Sequence, residues 1–200
     1  MGRWTAAAGG ACAGVFCLLL SGCAAYRGEG LTPITAWPPL PAGAERSIRL
    51  QLSGSVTLNG EEEGITAAGL GMWQKQAEMA YRESGLFSFV TAVRSADTDL
   101  RAEIRVEQRT KYNWTVRQIS GLTVWIIPNR VTDELVLKTT IRDRQGRVLV
   151  KLKKAETIAT WEQLFLVFYT PFAFPPSVHR RTVFDLNRAT LIEAREANIL

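Results

Sequence analysis

Ile48-Arg49-Leu50-Gln51-Leu52-Ser53-Gly54-Ser55-Val56-Thr57-Leu58 alternates with a period of two. Apolar or small residues hold the even positions and polar ones the odd, the pattern of a β-strand with one buried and one wet face. Asn59-Gly60 closes the strand with a turn, and Glu61-Glu62-Glu63 reads as a solvated loop. Leu70, Trp73, Ala77, Ala80 and Tyr81 then fall on one stripe of an amphipathic helix, with Gly85 as its C-terminal cap. Leu86 to Val90 reads as a short strand, and the acidic pair Asp97 and Asp99 marks the next turn. Leu100, Ala102, Ile104 and Val106 alternate with charged residues as a second half-buried strand. Leu135–Ile141 and Val148–Leu152 supply two more, joined by Asp143-Arg144-Gln145-Gly146, a hairpin turn with Gly at the left-handed position. A last helix runs from about Arg181 to Ala197 and turns Val183, Leu186, Thr190 and Ala194 inward.

This order predicts an α+β fold: a mainly antiparallel sheet of about five strands, with two helices packed on one face. The chain has 200 residues, enough for one domain with a sizeable core, and it shows no internal repeat. The folded unit is expected over residues 47–200.

Two apolar segments do not alternate. Ile119–Pro128 leaves the strand at Leu100–Val106, and Leu164–Pro176 follows the strand at Val148–Leu152. In an antiparallel meander both emerge side by side, at the end of the sheet opposite the Asp143–Gly146 turn. They offer Trp125, Ile126, Ile127, Phe165, Phe168, Tyr169, Phe172 and Phe174, while the prolines at 128, 171, 175 and 176 keep the tips from extending the sheet. The expectation is a docking surface for a partner protein or for the membrane interface. The competing arrangement folds these aromatics inward to complete the core.

Ahead of the domain, residues 23–46 contain Pro33, Pro38, Pro39 and Pro41 with Gly28, Gly30 and Gly43. That composition resists helix and reads as a spacer, with Trp37 docking back on the domain as the alternative. Earlier still, Arg3 precedes an apolar run from Ala6 to Leu20 that ends in Leu20-Ser21-Gly22-Cys23. The run is shorter than the roughly 20 residues of a spanning helix and has the form of a secretory signal over residues 1–22. An ordinary signal peptide and a buried N-terminal helix are the other readings of this segment.

Leu20-Ser21-Gly22-Cys23 resembles the lipobox of bacterial lipoproteins at every position. The resemblance implies cleavage before Cys23, acylation of its thiol and new amino group, and attachment to a lipid bilayer through those chains. Ala24, where an Asp would favour inner-membrane retention, implies export to the outer membrane, facing the periplasm. The strand and helix order is similar to small proteobacterial envelope lipoproteins. More distantly it resembles the α/β domains of penicillin-binding-protein activators and of the TolB N-terminal region. Ser84-Gly85-Leu86-Phe87 and Trp161-Glu162-Gln163-Leu164-Phe165-Leu166 carry that likeness.

Removal of the leader takes Cys12 and Cys17 with it and leaves only Cys23, so the folded part keeps no free thiol, disulfide or cysteine metal ligand. The formal net charge of +5 falls by one with Arg3, and the basic residues are dispersed on alternating strand positions. An envelope location argues against nucleic acid as a partner, and no cofactor or metal is implied. His179, the sole histidine, lies between Val178 and Arg180-Arg181 and reads as a surface or capping residue. No nucleophile elbow, Walker loop or dinucleotide fingerprint occurs. Asn113-Trp114-Thr115 fits a glycosylation sequon by chance. The reading is a non-catalytic accessory module for an envelope complex; the alternative is a hydrolase acting on envelope polymer through an unrecognised acidic site. Cys23→Ser is expected to yield an uncleaved precursor or a soluble periplasmic domain, as read by mass spectrometry of the N-terminus. An unlipidated wild-type N-terminus beyond residue 23 contradicts the anchor.

Overall fold

The structure, a computed structural model, describes residues 22–34, 37–38 and 46–197. The expected signal segment lies, apart from Gly22, outside the described residues. The strands are β1 (Gly22–Arg27), β2 (Ser47–Leu58), β3 (Glu61–Glu63), β4 (Phe89–Thr91), β5 (Leu100–Tyr112), β6 (Asn129–Asp143) and β7 (Val148–Gln163). The helices are α1 (Ala67–Glu83), α2 (Trp114–Leu122) and α3 (Pro175–Glu196), with a 3-10 turn over Leu164–Phe168.

One 7-stranded sheet runs in the order β1-β7-β6-β5-β2-β3, with β4 paired to β2. The meander β5-β6-β7 is antiparallel as expected, through the tight turn at Gly146, whose φ is +84°. The sheet as a whole is mixed, because β2 pairs in parallel with both β4 and β5. Between β2 and β5 the chain crosses over through α1, and a crossover is what brings consecutive strands into parallel pairing. Two strands beyond the expected five, β1 and β3, carry no alternation to read. β1 is Gly-Cys-Ala-Ala-Tyr-Arg, and the Glu61–Glu63 run expected as a loop zips back onto Val56–Leu58.

α1 and α3 pack on one face, as expected of two helices, and against each other. Thr66 caps α1 by accepting the Gly69 N–H at 3.1 Å, and Gly85 follows the helix with φ +67°. The stripe Trp73, Ala77, Ala80 and Tyr81 is buried against the even residues of β2 and β5. α3 begins at Pro175, earlier than the periodicity places it, because proline suits a first helical turn whose N–H groups need no intrahelical partner. α2 is a third helix where a connection was expected; Asn113, the residue of the sequon, caps it by accepting the Val116 N–H at 3.1 Å.

The described part of the segment expected as a spacer does not stand apart from the domain. β1 pairs with β7 along its length, Leu31 is buried in the core, and Trp37 packs against that core beneath the Arg188 guanidinium. The fold therefore reaches back to Gly22 rather than beginning near Ser47.

Gly54 is the closest approach between the helix layer and the sheet: a Cβ there would meet the Trp73 ring at 2.4 Å. Gly54→Ala is expected to destabilise by about 1–3 kcal/mol through overpacking. Gly71→Ala, mid-helix with nothing within 4 Å, is expected to stabilise by about 0.5–1 kcal/mol. Urea titration of both variants checks the pair, and equal shifts would contradict the close approach.

Candidate functional site

The strand ends at one margin of the sheet gather the features singled out from the sequence. β7 ends where β1 and β6 begin: Cys23 lies opposite Glu162, and Glu162 opposite Asn129, whose side chain donates to it at 2.9 Å. β5 ends alongside, with Tyr112 opposite Val131. The connections Tyr112–Asn129 and Gln163–Pro175 thus leave the same margin, and they touch, since the Leu164 N–H donates to the Trp125 carbonyl at 2.9 Å.

The first connection closes through strained backbone. Val124 and Trp125 have φ of 52° and 57°, a left-handed conformation that costs a β-branched residue most. Hydrogen bonds hold them there, from Trp125 N–H to the Ser120 carbonyl at 2.7 Å and from Ser120 Oγ to the Ile127 carbonyl at 2.7 Å. The second connection runs along the outer edge of β1. The Cys23 N–H donates to Thr170 Oγ1 at 3.1 Å and the Ala25 N–H to the Ala173 carbonyl at 2.8 Å. These bonds occupy donors that an edge strand would otherwise present to other chains.

Backbone does the covering, so the aromatic side chains of this segment are left outside while Leu164, Leu166 and Val167 are half-buried. Phe168 is 77% exposed and Phe172 89%, with Phe165, Tyr169 and Phe174 also exposed. Ile126 and Ile127 are exposed too, whereas Trp125 is half-buried, its peptide clamped between Ser120 and Leu164. Trp114 and Leu122, on α2, join this apolar end, Leu122 at 84% exposure. Reading Ile119–Pro128 as a plain connection and Asn113-Trp114-Thr115 as a chance sequon missed them; the Asn113 cap was the available signal. Cys23 is partly buried, and burial followed by the Glu162 charge pushes its thiol pKa up. An open cleft of about 760 Å³ lies between β1, residues 28–34, Tyr169–Ala173 and α3.

His179 is not the surface residue expected. It lies within α3, and its Nε2 meets Asp133 Oδ2 at 3.2 Å while its Nδ1 meets the Pro175 carbonyl at 3.1 Å. Asp133 also accepts from Thr110 and Gln108. Both ring nitrogens are thus engaged within the fold. The acidic turn is at the other end of β5, where Asp99 accepts from Ser47 and Asp97 pairs with Arg144. The fold does not bring these carboxylates to His179. Among the described residues no group of three or more His, Cys, Asp or Glu side chains is placed to hold a metal ion.

Burial alone would lower the His179 pKa, but the hydrogen bond and charge of Asp133 outweigh it and raise the pKa above the usual 6.5. Burial opposes ionisation of Asp133 too, yet the bonds from His179 and Thr110 hold its pKa below the usual 3.8. The His179 contribution to stability is therefore full below pH 6.5 and is lost as pH rises through the raised pKa. The Asp133 contribution is present above pH 3.8 and is lost as pH falls through the lowered pKa. His179→Gln is expected to flatten the fall in melting temperature between about pH 6 and about pH 8. A variant that keeps the wild-type slope removes the pair from that role.

No protein-family model matches the chain, and no curated protein matches it. Solved structures similar to it include two of PelC dodecamers from Paraburkholderia phytofirmans. One, in space group P6, is 12% identical with a TM-score of 0.36, covering 84% of this chain and 96% of that one. The other, a single-substitution variant in space group C2, is 12% identical with a TM-score of 0.35, covering 84% and 95%. A minor lipoprotein from Acinetobacter baumannii is 15% identical with a TM-score of 0.42, covering 80% and 95%. Scores below 0.5 leave function to be read from this chain's own residues.

Proposed function

We propose that this protein is a lipid-anchored, non-catalytic envelope lipoprotein, an accessory module for an envelope protein complex, that works with the apolar end of its sheet against the membrane. The observation that carries the reading is the coincidence of anchor and aromatics. Cys23 hydrogen-bonds to Thr170, which lies between the exposed rings of Tyr169 and Phe172. Acyl chains on Cys23 would leave the domain beside those rings.

The energetics support a seated domain rather than a dangling one. Each buried methylene of an acyl chain contributes about 0.8 kcal/mol, so several chains hold the protein without a spanning segment. Among the described residues no helix is long and apolar enough to cross a membrane. Because the acylated residue lies within β1, no slack separates anchor from domain, and the effective concentration of the aromatic end at the bilayer is high. Aromatic rings favour the headgroup region, where their apolar bodies leave water. Ala24 after the cysteine favours the outer membrane, with the domain in the periplasm.

Acylation of Cys23 leaves the mature chain without another thiol, so an introduced cysteine takes a nitroxide label uniquely. In vesicle-reconstituted lipidated protein, labels at Phe168→Cys and Phe172→Cys are expected to collide more with membrane-dissolved oxygen than with a water-soluble nickel chelate. A label at Gln145→Cys, on the far turn, is expected to show the reverse order. Equal aqueous exposure at 145, 168 and 172 would contradict the seating.

A further inference from the structure

The helices cover one face of the sheet and leave the other to its own side chains. Register sets what that face carries. Arg49, Arg101 and Arg142 stand on one cross-strand row, and Arg105, Lys138 and Lys153 on another. Between them lies the row Gln51, Glu103, Thr140 and Lys151. Like charges directly opposite one another destabilise a sheet, yet Arg101 faces Arg142 and Lys138 faces Lys153.

The carboxylates of this face answer only some of the cations. Glu103 pairs with Arg142 at 3.0 Å, and Glu107 pairs with Lys138 at 2.6 Å, Arg105 at 3.4 Å and Arg109 at 3.3 Å. Arg101, Lys151 and Lys153 have no carboxylate partner among the described residues, and all three are exposed. We propose that this helix-free face binds an anionic glycan polymer of the envelope, laid across the rows of Arg101, Lys151 and Lys153.

Two observations select that occupant. Lys153 lies roughly 30 Å along β7 from Glu162, the register partner of Cys23, at about 3.3 Å per residue. That exceeds a Debye length of about 8–10 Å several-fold, so with the Cys23 margin at the bilayer the free cations lie beyond the screened reach of its headgroups. Protein interfaces carry an apolar, charge-depleted core, whereas the apolar residue central to this face, Val136, is 1% exposed and shielded by its charged neighbours. A polymer with repeated anionic groups meets several rows at once and needs no apolar core. The proposal rests on the accessory-module reading for its orientation and compartment, and it names a ligand of that module.

The test uses the mature lipidated protein in neutral detergent micelles and polygalacturonate as the probe, with neutral dextran and polyglutamate beside it. Binding to polygalacturonate and not to dextran is expected, with a Kd that weakens on the order of tenfold between about 50 and about 200 mM salt. Arg101→Ser, Lys151→Ser and Lys153→Ser together lose no ion pair among the described residues, so the melting temperature is expected to hold while affinity falls tenfold or more. Lys75→Ser, Arg180→Ser and Arg195→Ser together, on the helix side, remove the same charge and are expected to leave affinity within about twofold. No binding at low salt, or equal losses in the two triple variants, overturns the proposal. Polyglutamate bound tenfold more tightly than polygalacturonate overturns it in favour of an acidic protein. Micelle-borne binding does not depend on membrane seating, so its failure leaves the anchor standing, and failure of Cys23 acylation leaves the binding result interpretable.

Discussion

Glu156 holds the N-terminal segment to the rest of the molecule. It lies on the helix-covered side of β7 at 2% exposure, and its carboxylate accepts from Arg27 Nε at 2.9 Å and from the Gly30 and Leu31 N–H groups, both at 3.1 Å. Burial opposes its ionisation, but the Arg27 guanidinium and the backbone donors outweigh burial and hold its pKa below the usual value. Arg27 reaches on to Asp185 of α3 at 2.6 Å, and Asp185 takes Arg188 at 3.0 Å, whose guanidinium lies over Trp37. Two cations thus answer two carboxylates. Removing one partner from a fully buried set costs about 3–5 kcal/mol because it strands the other, and less here because the Arg27 side chain is 28% exposed.

From that clamp follows the position of β1, and from β1 the geometry of the apolar end. With β1 fixed on β7, the chain after Gln163 has an open strand edge beside it, and Thr170 and Ala173 fill it with hydrogen bonds. A segment that uses its backbone for covering has its rings to spare. Phe165, Phe168 and Phe172 remain in water for that reason, on a margin that already holds Cys23. Burial of the edge and exposure of the aromatics are two results of one arrangement.

The two faces of the sheet divide the chemistry. Toward α1 and α3 it presents Leu50, Ile104, Leu137 and Ile158, all buried, together with the Asp133–His179 and Glu156–Arg27 pairs. The opposite face carries the charged alternates of the same strands. The far turn around Asp143–Gly146 and the margin at Cys23 are the two ends of this slab, so any membrane contact at one end leaves the basic rows toward the other.

Local pattern alone determined the alternating strands β2, β5, β6 and β7, the α1 stripe and its glycine cap and the hairpin at Gly146, because period-two and helical spacing are properties of neighbours in the chain. The same pattern placed both apolar connections at one end of the meander. What tertiary structure decided were the features made by partners distant in sequence. β1 has no alternation, and it is a strand only because Glu156 and the β7 edge, more than a hundred residues later, receive it. The parallel pairing of β2 with β5 came from the α1 crossover, and the partial burial of His179 came from Asp133 arriving beneath α3. The like-charged rows of the open face are invisible in a one-dimensional charge count, since Arg105, Lys138 and Lys153 become neighbours only through register. Spacing along the chain sets which face a side chain takes; pairing across the sheet sets what it faces.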